Sequence, residues 1–234
     1  NMKMKNLFIS LLIAVFALLF SACVSNEVSD SDKVSQEEIY QTYKVTVDAS
    51  NQSVTGFASF RFGGASGTTL RLTAGSNVKW NSIDMPQQQN YFMGAYYEKS
   101  EKASLQSKHS FVFTDTEKKV YTNEIELMPA EPQDVPAQFN SSKSLTISWA
   151  GQPLRGGEVL TCNLKDSTLT TSVSIDLMGA TSIQIKPEDW NKTKKGLVNL
   201  SFERSYSQTL KEATHLGGTI KAVYISNSYP IEIE

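Results

Sequence analysis

Cysteine and histidine are scarce, with two of each in 234 residues. Two cysteines cannot build a disulfide scaffold or a cysteine-rich zinc site. His109 and His215 leave little for metal or acid–base chemistry, and neither sits in an HxH or HExxH pattern. An excess of either charge is also lacking. The 22 basic and 24 acidic residues give a net of −2, which disfavours a partner held by phosphate contacts, so no nucleic acid is expected. The 40% hydrophobic content is ordinary for a globular chain and rules out wholesale disorder. The length allows one large domain or two small ones.

What is present begins with an address. Lys3 and Lys5 precede Leu7–Phe20, 14 residues that are apolar except for Ser10. The run is short for a membrane span and suits the apolar region of a signal peptide. Phe20-Ser-Ala-Cys23 follows, and it resembles a bacterial lipobox, with Phe20 where that family usually has leucine. The resemblance implies that residues 1–22 are removed by signal peptidase II. It also implies that Cys23 carries a diacylglycerol thioether and an acylated amine, which anchor the chain to a membrane. Two or more acyl chains hold a protein durably where one does not. Loss of residues 1–22 removes two lysines and no acid, taking the net charge from −2 to −4. Residues 23–37 are polar and mildly acidic and read as a lipidated, flexible tether. Val24 stands where an inner-membrane retention signal has aspartate, which leaves the outer membrane or cell surface as the expected location.

Beyond Glu38 the dominant period is two, the pattern of half-buried strands. Tyr43, Val45 and Val47 alternate with polar residues, as do Ala58, Phe60 and Phe62, then Phe111 and Phe113. Turn residues at Asp48–Gln52 and Asp115–Lys118 separate the runs. Residues 38–128 hold about seven such strands. Residues 129–141 then open with three of the chain's seven prolines, at 129, 132 and 136, and read as a linker. Residues 142–234 repeat the strand pattern through Leu145, Ile147 and Trp149 to Ile231 and Ile233. One helical turn is expected at Pro187–Lys192 and another within Ser207–Thr214. The fold class expected is all-β. Two tandem sandwich domains of about 90–100 residues each follow the signal peptide and tether. They resemble immunoglobulin-like domains in architecture, without the Cys…Trp…Cys core of antibody domains. A single larger sandwich or jelly roll across both halves is the other arrangement the pattern permits.

No motif for catalysis emerges. Gly63-Gly-Ala-Ser-Gly67 lacks the lysine of a phosphate loop and the spacing of a nucleophile elbow. Glu124 and Glu126 fall on one face of one strand, unlike carboxylates that face each other across a glycoside. Cys162 alternates with Leu160 and Leu164 and reads as a buried thiol. The two histidines read as surface residues. No catalytic residue, metal or cofactor is therefore expected. Aromatic rings offer the one suggestive group. Tyr91, Phe92, Tyr96 and Tyr97 cluster with Trp80 in the first half, and Trp190 lies in a loop region of the second. Tyr91, Phe92, Tyr96, Tyr97 and Trp190 are the candidate ligand-binding residues, because flat rings cover the apolar faces of sugars. The same rings suit core packing, since aromatics favour strands. Trp80 and Trp149 alternate with polar neighbours and read as core.

Ile39-Tyr-Gln-Thr-Tyr-Lys44, Phe60-Arg-Phe-Gly63 and Gly67-Thr-Thr-Leu70 resemble Bacteroidetes-type envelope lipoproteins. That resemblance implies location and architecture and no activity. The expectation is a membrane-anchored envelope lipoprotein acting as a non-enzymatic interaction or structural module, with an envelope protein or a glycan as partner. A glycan-binding surface lipoprotein is the alternative. A hydrolase or a pilin-like subunit fits less well.

Overall fold

The computed structural model describes residues 27–102, 106–190 and 195–234. Cys23 and the expected signal peptide, residues 1–22, lie outside the described residues. The first half carries β1 (Val28–Asp30), β2 (Ile39–Asp48), β3 (Ser53–Phe62), β4 (Thr68–Arg71), β5 (Asn77–Trp80), β6 (Ile83–Asp84), β7 (Gln87–Asn90), β8 (Gly94–Lys102), β9 (Lys108–Thr114) and β10 (Val120–Glu126). The second carries β11 (Glu131–Gln133), β12 (Gln138–Phe139), β13 (Leu145–Ala150), β14 (Glu158–Lys165), β15 (Thr170–Ile175), β16 (Ser182–Ile185), β17 (Gly196–Thr209), β18 (Gly218–Ile225) and β19 (Tyr229–Ile233). The expected helical turn is present at Pro187–Trp190. The second expected turn is absent, because β17 continues through Ser207 to Thr209 in register with β18.

The fold is all-β and forms two sandwich cores, as the alternation required. In the first core Ile39, Tyr43, Val45 and Val47 of β2 and Ala58 and Phe60 of β3 face Phe111 and Phe113 of β9 and Val78 and Trp80 of β5. Tyr43 stacks on Phe111 at 4.9 Å between centroids, and Phe60 meets Phe113 at 4.5 Å. Burying each such side chain contributes about 1.5–3 kcal/mol. Gly56 lies under Trp80, where an added Cβ would fall 2.4 Å from the indole Cδ2, so this strand interior requires glycine. In the second core Leu160, Cys162 and Leu164 of β14 and Val198, Leu200 and Phe202 of β17 face Ile147 and Trp149 of β13 and Ile183 and Ile185 of β16.

The two cores share a sheet, which a division at 128/129 does not anticipate. The order β1-β4-β3-β2-β18-β17-β14-β15 runs unbroken from one half to the other. Strand β17 makes the crossing possible. It has 14 residues, and one of its edges is divided. Residues 196–200 pair with β19, and residues 203–209 pair with β18. Ser226 marks the division, since its backbone N–H donates to the Phe202 carbonyl and its hydroxyl accepts the Phe202 N–H. Strand β18 then lies parallel to β2, from Gly218 beside Gln41 to Ile225 beside Asp48. Ile220, Ala222 and Tyr224 thereby complete the first core from the far end of the chain.

Two boundaries also move. The segment expected as a linker is built into the fold. Ala130 is buried, β11 pairs with β13, and β12 pairs with β19. The Glu131 carboxylate accepts the hydroxyls of Tyr224 and Tyr229 and the N–H of Asn227. The proline composition suggests a free connection, but a proline also suits an edge strand whose N–H side needs no partner. The tether likewise ends earlier than residue 37. Strand β1 pairs in parallel with β4, and Asp30 holds Arg71 at 2.8 Å. Ser31 and Gln36 are buried, with the Gln36 amide donating to the Ser31 carbonyl and its oxygen accepting the Thr116 N–H. These polar residues fill hydrogen-bonding needs inside the body.

Where the cores meet, Arg204 and Glu158 form an ion pair at 2.5 Å, both almost wholly buried. Arg204 also donates to the carbonyls of Pro129, Gln152 and Pro153. Glu158 accepts the Arg155 N–H and Arg155 Nε. Burial pushes the Glu158 carboxyl up, but the Arg155 N–H and the Arg204 guanidinium outweigh it and hold the pKa below the usual glutamate value. Breaking one side of a buried pair leaves an uncompensated charge. We therefore expect Arg204→Met to lower stability by about 3–5 kcal/mol in urea titrations. Arg204→Met/Glu158→Leu should recover only the part due to the uncompensated carboxylate, since the Pro129, Gln152 and Pro153 carbonyls lose their partner in both variants and the Arg155 N–H loses its own in the second.

Candidate interaction surfaces

The candidate rings separate into three places. Tyr97 is buried in the first core against Phe60, and its hydroxyl accepts the Leu72 N–H at 2.6 Å. Trp190 is buried in the second core and packs on Phe139. Neither can serve as an exposed platform, so these two assignments are corrected to core. On β8 the alternation that turns Tyr97 inward turns Tyr96 outward. Tyr96 there stacks on Phe57 at 5.7 Å, on the outer face of the shared sheet. Tyr91 and Phe92 occupy the β7–β8 turn and are 82% and 81% exposed.

That turn is rigidly built. The Asn90 side-chain oxygen accepts the N–H groups of Phe92 and Met93, at 3.0 and 2.8 Å. Gly94 has φ +69°, and a Cβ there would fall 2.2 Å from Thr69 Oγ1. The Thr69 hydroxyl accepts the Ala95 N–H and donates to the Glu27 carbonyl. The Tyr91 and Phe92 rings meet edge to face, at 5.5 Å and 87°.

A second surface carries no signal in the sequence. A cleft of about 410 Å³ opens at the junction of the two cores. Its walls include Lys108, Glu124 and Glu126 from β9 and β10, Arg155 from the turn before β14, and Tyr206 and Gln208 from β17. Glu124 and Glu126 do share a face of β10. Each is paired, Glu124 with Lys108 and Glu126 with Arg155, both at 2.7 Å. The Lys108 ammonium is thereby held above its usual range. The Arg155 guanidinium lies over the Tyr206 ring at 5.8 Å. The Tyr206 hydroxyl donates to the Gln208 side-chain oxygen, whose amide donates to the Glu124 carbonyl. Lys211 extends the rim. Sequence reasoning misses the cleft because its residues come from separated strands that only the shared sheet brings together. Such walls offer cations, carboxylates, an amide and a ring face to a polar ligand.

His109 is buried, contrary to the surface reading. Its ring stacks on Trp80 at 5.8 Å, and the Asn81 amide lies 3.3 Å from Nδ1. His215 is exposed in the loop before β18. Cys162 is buried as expected, and burial pushes its thiol up to about 12, far from nucleophile chemistry. Among the described residues no group of three His, Cys, Asp or Glu side chains could hold a metal ion, and no helix is long and apolar enough to cross a membrane.

No family model and no curated protein matches the chain. Several solved structures are similar in fold. The FN1–FN3 domains of chicken CNTN1 are 12% identical, covering 82% of this chain and 64% of theirs, with TM-score 0.27. SGBP-B of the Bacteroides ovatus mixed-linkage glucan utilization locus, solved with a mixed-linkage heptasaccharide, is 8% identical over 78% of this chain and 53% of its own, with TM-score 0.24. A structure concerning host cell surface retention of a 1.5-MDa bacterial ice-binding adhesin is 12% identical over 86% and 67%, with TM-score 0.23. The chain thus spans less than two thirds of the first two structures. Likenesses this shallow carry no argument about ligand or partner.

Burial of His109 has a measurable consequence. Desolvation holds its imidazole below the usual 6.5, against a weaker opposing pull from the Gln106 carbonyl. The unfolded chain therefore takes up this proton first as pH falls. Stability should decline from about pH 6.5 down to the folded value. In urea titrations across pH, His109→Phe should keep the ring stack and abolish that part of the decline.

Proposed function

We propose that the chain is a lipid-anchored module of the bacterial cell envelope that binds a partner without transforming it. The anchor is Cys23, and the location is the outer membrane or the cell surface. The signal-like run ending at Cys23 supports the anchor, and the junction cleft supports the binding role. The single observation that carries the binding role is the set of polar groups converging there from both cores. Arg155, Lys108 and Gln208 are held in place by hydrogen bonds already made, so a ligand meets an ordered surface and costs little side-chain entropy.

An envelope protein presenting acidic and amide groups fits these walls. A glycan is the second reading, favoured by the Tyr206 ring lying beside the Gln208 amide. Both readings place recognition in the same cleft.

Two outcomes are expected. Cys23→Ser should release the protein from the membrane fraction and end incorporation of labelled palmitate; retention with labelling would sink the anchor. Gln208→Ala/Lys211→Ala should weaken capture of partners from envelope extracts or glycan arrays by about tenfold, with thermal stability unchanged. Undiminished capture by this variant would exclude the cleft.

A further inference from the structure

The turn that carries Tyr91 and Phe92 stands beside the point where the chain enters the fold. Thr69 joins the two directly, because one hydroxyl bonds both Glu27 at the chain entry and Ala95 at the base of the turn. The register agrees. Val28 lies beside Thr69, Thr68 beside Phe62, and β8 starts at Gly94 near that same end, running antiparallel to β3 from there past Tyr97 beside Ala58. Three residues separate Cys23 from Glu27, so the lipidated residue lies within about 14 Å of this end of the sandwich.

We propose that Tyr91, Phe92 and Met93 rest in the interfacial layer of the membrane that holds the Cys23 lipid. The turn is a second, non-covalent contact that fixes how the body stands on the bilayer. The proposal rests on the anchor reading given above. Four observations support it. The stretch Met85–Tyr97 contains no charged residue, and neither does Phe62–Leu70, the neighbouring loop at the same end. Aromatic side chains with one polar atom favour the membrane–water boundary. The Asn90 hydrogen bonds hold the turn ready, so insertion orders little. The rings stand at 87° to each other, which makes a wedge and not the coplanar shelf that a sugar ring would stack on.

Glu27 and Glu38 belong to this same end, so the contact does not depend on anionic headgroups. A neutral phosphatidylcholine surface should therefore suffice.

The three native tryptophans are all buried, so a tryptophan introduced on the surface can be read by difference. The lipidated full-length protein carrying Phe92→Trp would be reconstituted into phosphatidylcholine vesicles. Its added emission should shift to the blue relative to the Cys23→Ser form of the same variant, and lipids brominated along the acyl chain should quench it. Leu177→Trp, at another exposed apolar position, should show neither effect. If palmitate is incorporated and the protein sediments with vesicles, yet the indole introduced by Phe92→Trp emits as in water without quenching, the proposal is overturned while the anchor stands. If palmitate is not incorporated, the anchor fails and the proposal falls with it. A response of that introduced indole to soluble glycans and not to vesicles would also overturn it, in favour of a ligand-binding turn.

Discussion

The Arg204–Glu158 pair is the constraint on which the arrangement of the two halves depends. A β-strand that leaves one sandwich and enters another must pass a place where neither core covers it. Residues facing inward there meet polar groups beside the margin of the first core, at Leu127 and Ala222, and backbone carbonyls of the arriving loops need partners. Arginine solves both problems, because its planar fork bonds several acceptors at once. Here it satisfies the carbonyls of Pro129, Gln152 and Pro153 and meets Glu158 across the strand pair. The carboxylate in turn orders Arg155, which shapes the wall of the cleft outside. Internal architecture and external surface are thus coupled through one buried charge pair.

A shared sheet changes what the word domain means for this chain. The first core is incomplete until β18 arrives, more than 80 residues after β10 ends. Its non-local pairing with β2 has to wait for most of the chain, a topology that folds slowly. The reward is rigidity. Sandwiches joined by a linker rotate against each other, and a groove between them opens and closes. A groove bordered by a continuous hydrogen-bonded strand keeps its shape.

Much of this is legible from alternation alone. The period-two runs locate most of the long strands, assign Trp80, Trp149 and Cys162 to the interior, and lead to two cores. Alternation reports which face a residue occupies and says nothing about which strand lies beside it. That is why β18 reads as a member of the second half, although Ile220, Ala222 and Tyr224 face the first core. Composition misleads wherever polar residues are interior. Ser31 and Gln36 read as tether, His109 as surface, and the prolines as linker, because each type is usually exposed. The aromatic cluster is half legible. Tyr96 and Tyr97 are adjacent in sequence and must point to opposite faces of β8, so they can never share one platform. The cleft is not legible at all, since no local pattern places Lys108 beside Gln208.

The way the chain begins has a mechanical consequence. Strand β1 pairs in parallel with β4, and its axis runs from the entry point into the body. A pull applied at residue 27 loads these hydrogen bonds in shear, all together, instead of unzipping them one at a time. At the end of β1 the Asp30–Arg71 bond, and just behind it the buried Ser31 hydroxyl, act as further stops. The first few residues of the body therefore act as a strain relief, sharing any load that reaches residue 27 along the chain before it bears on the core.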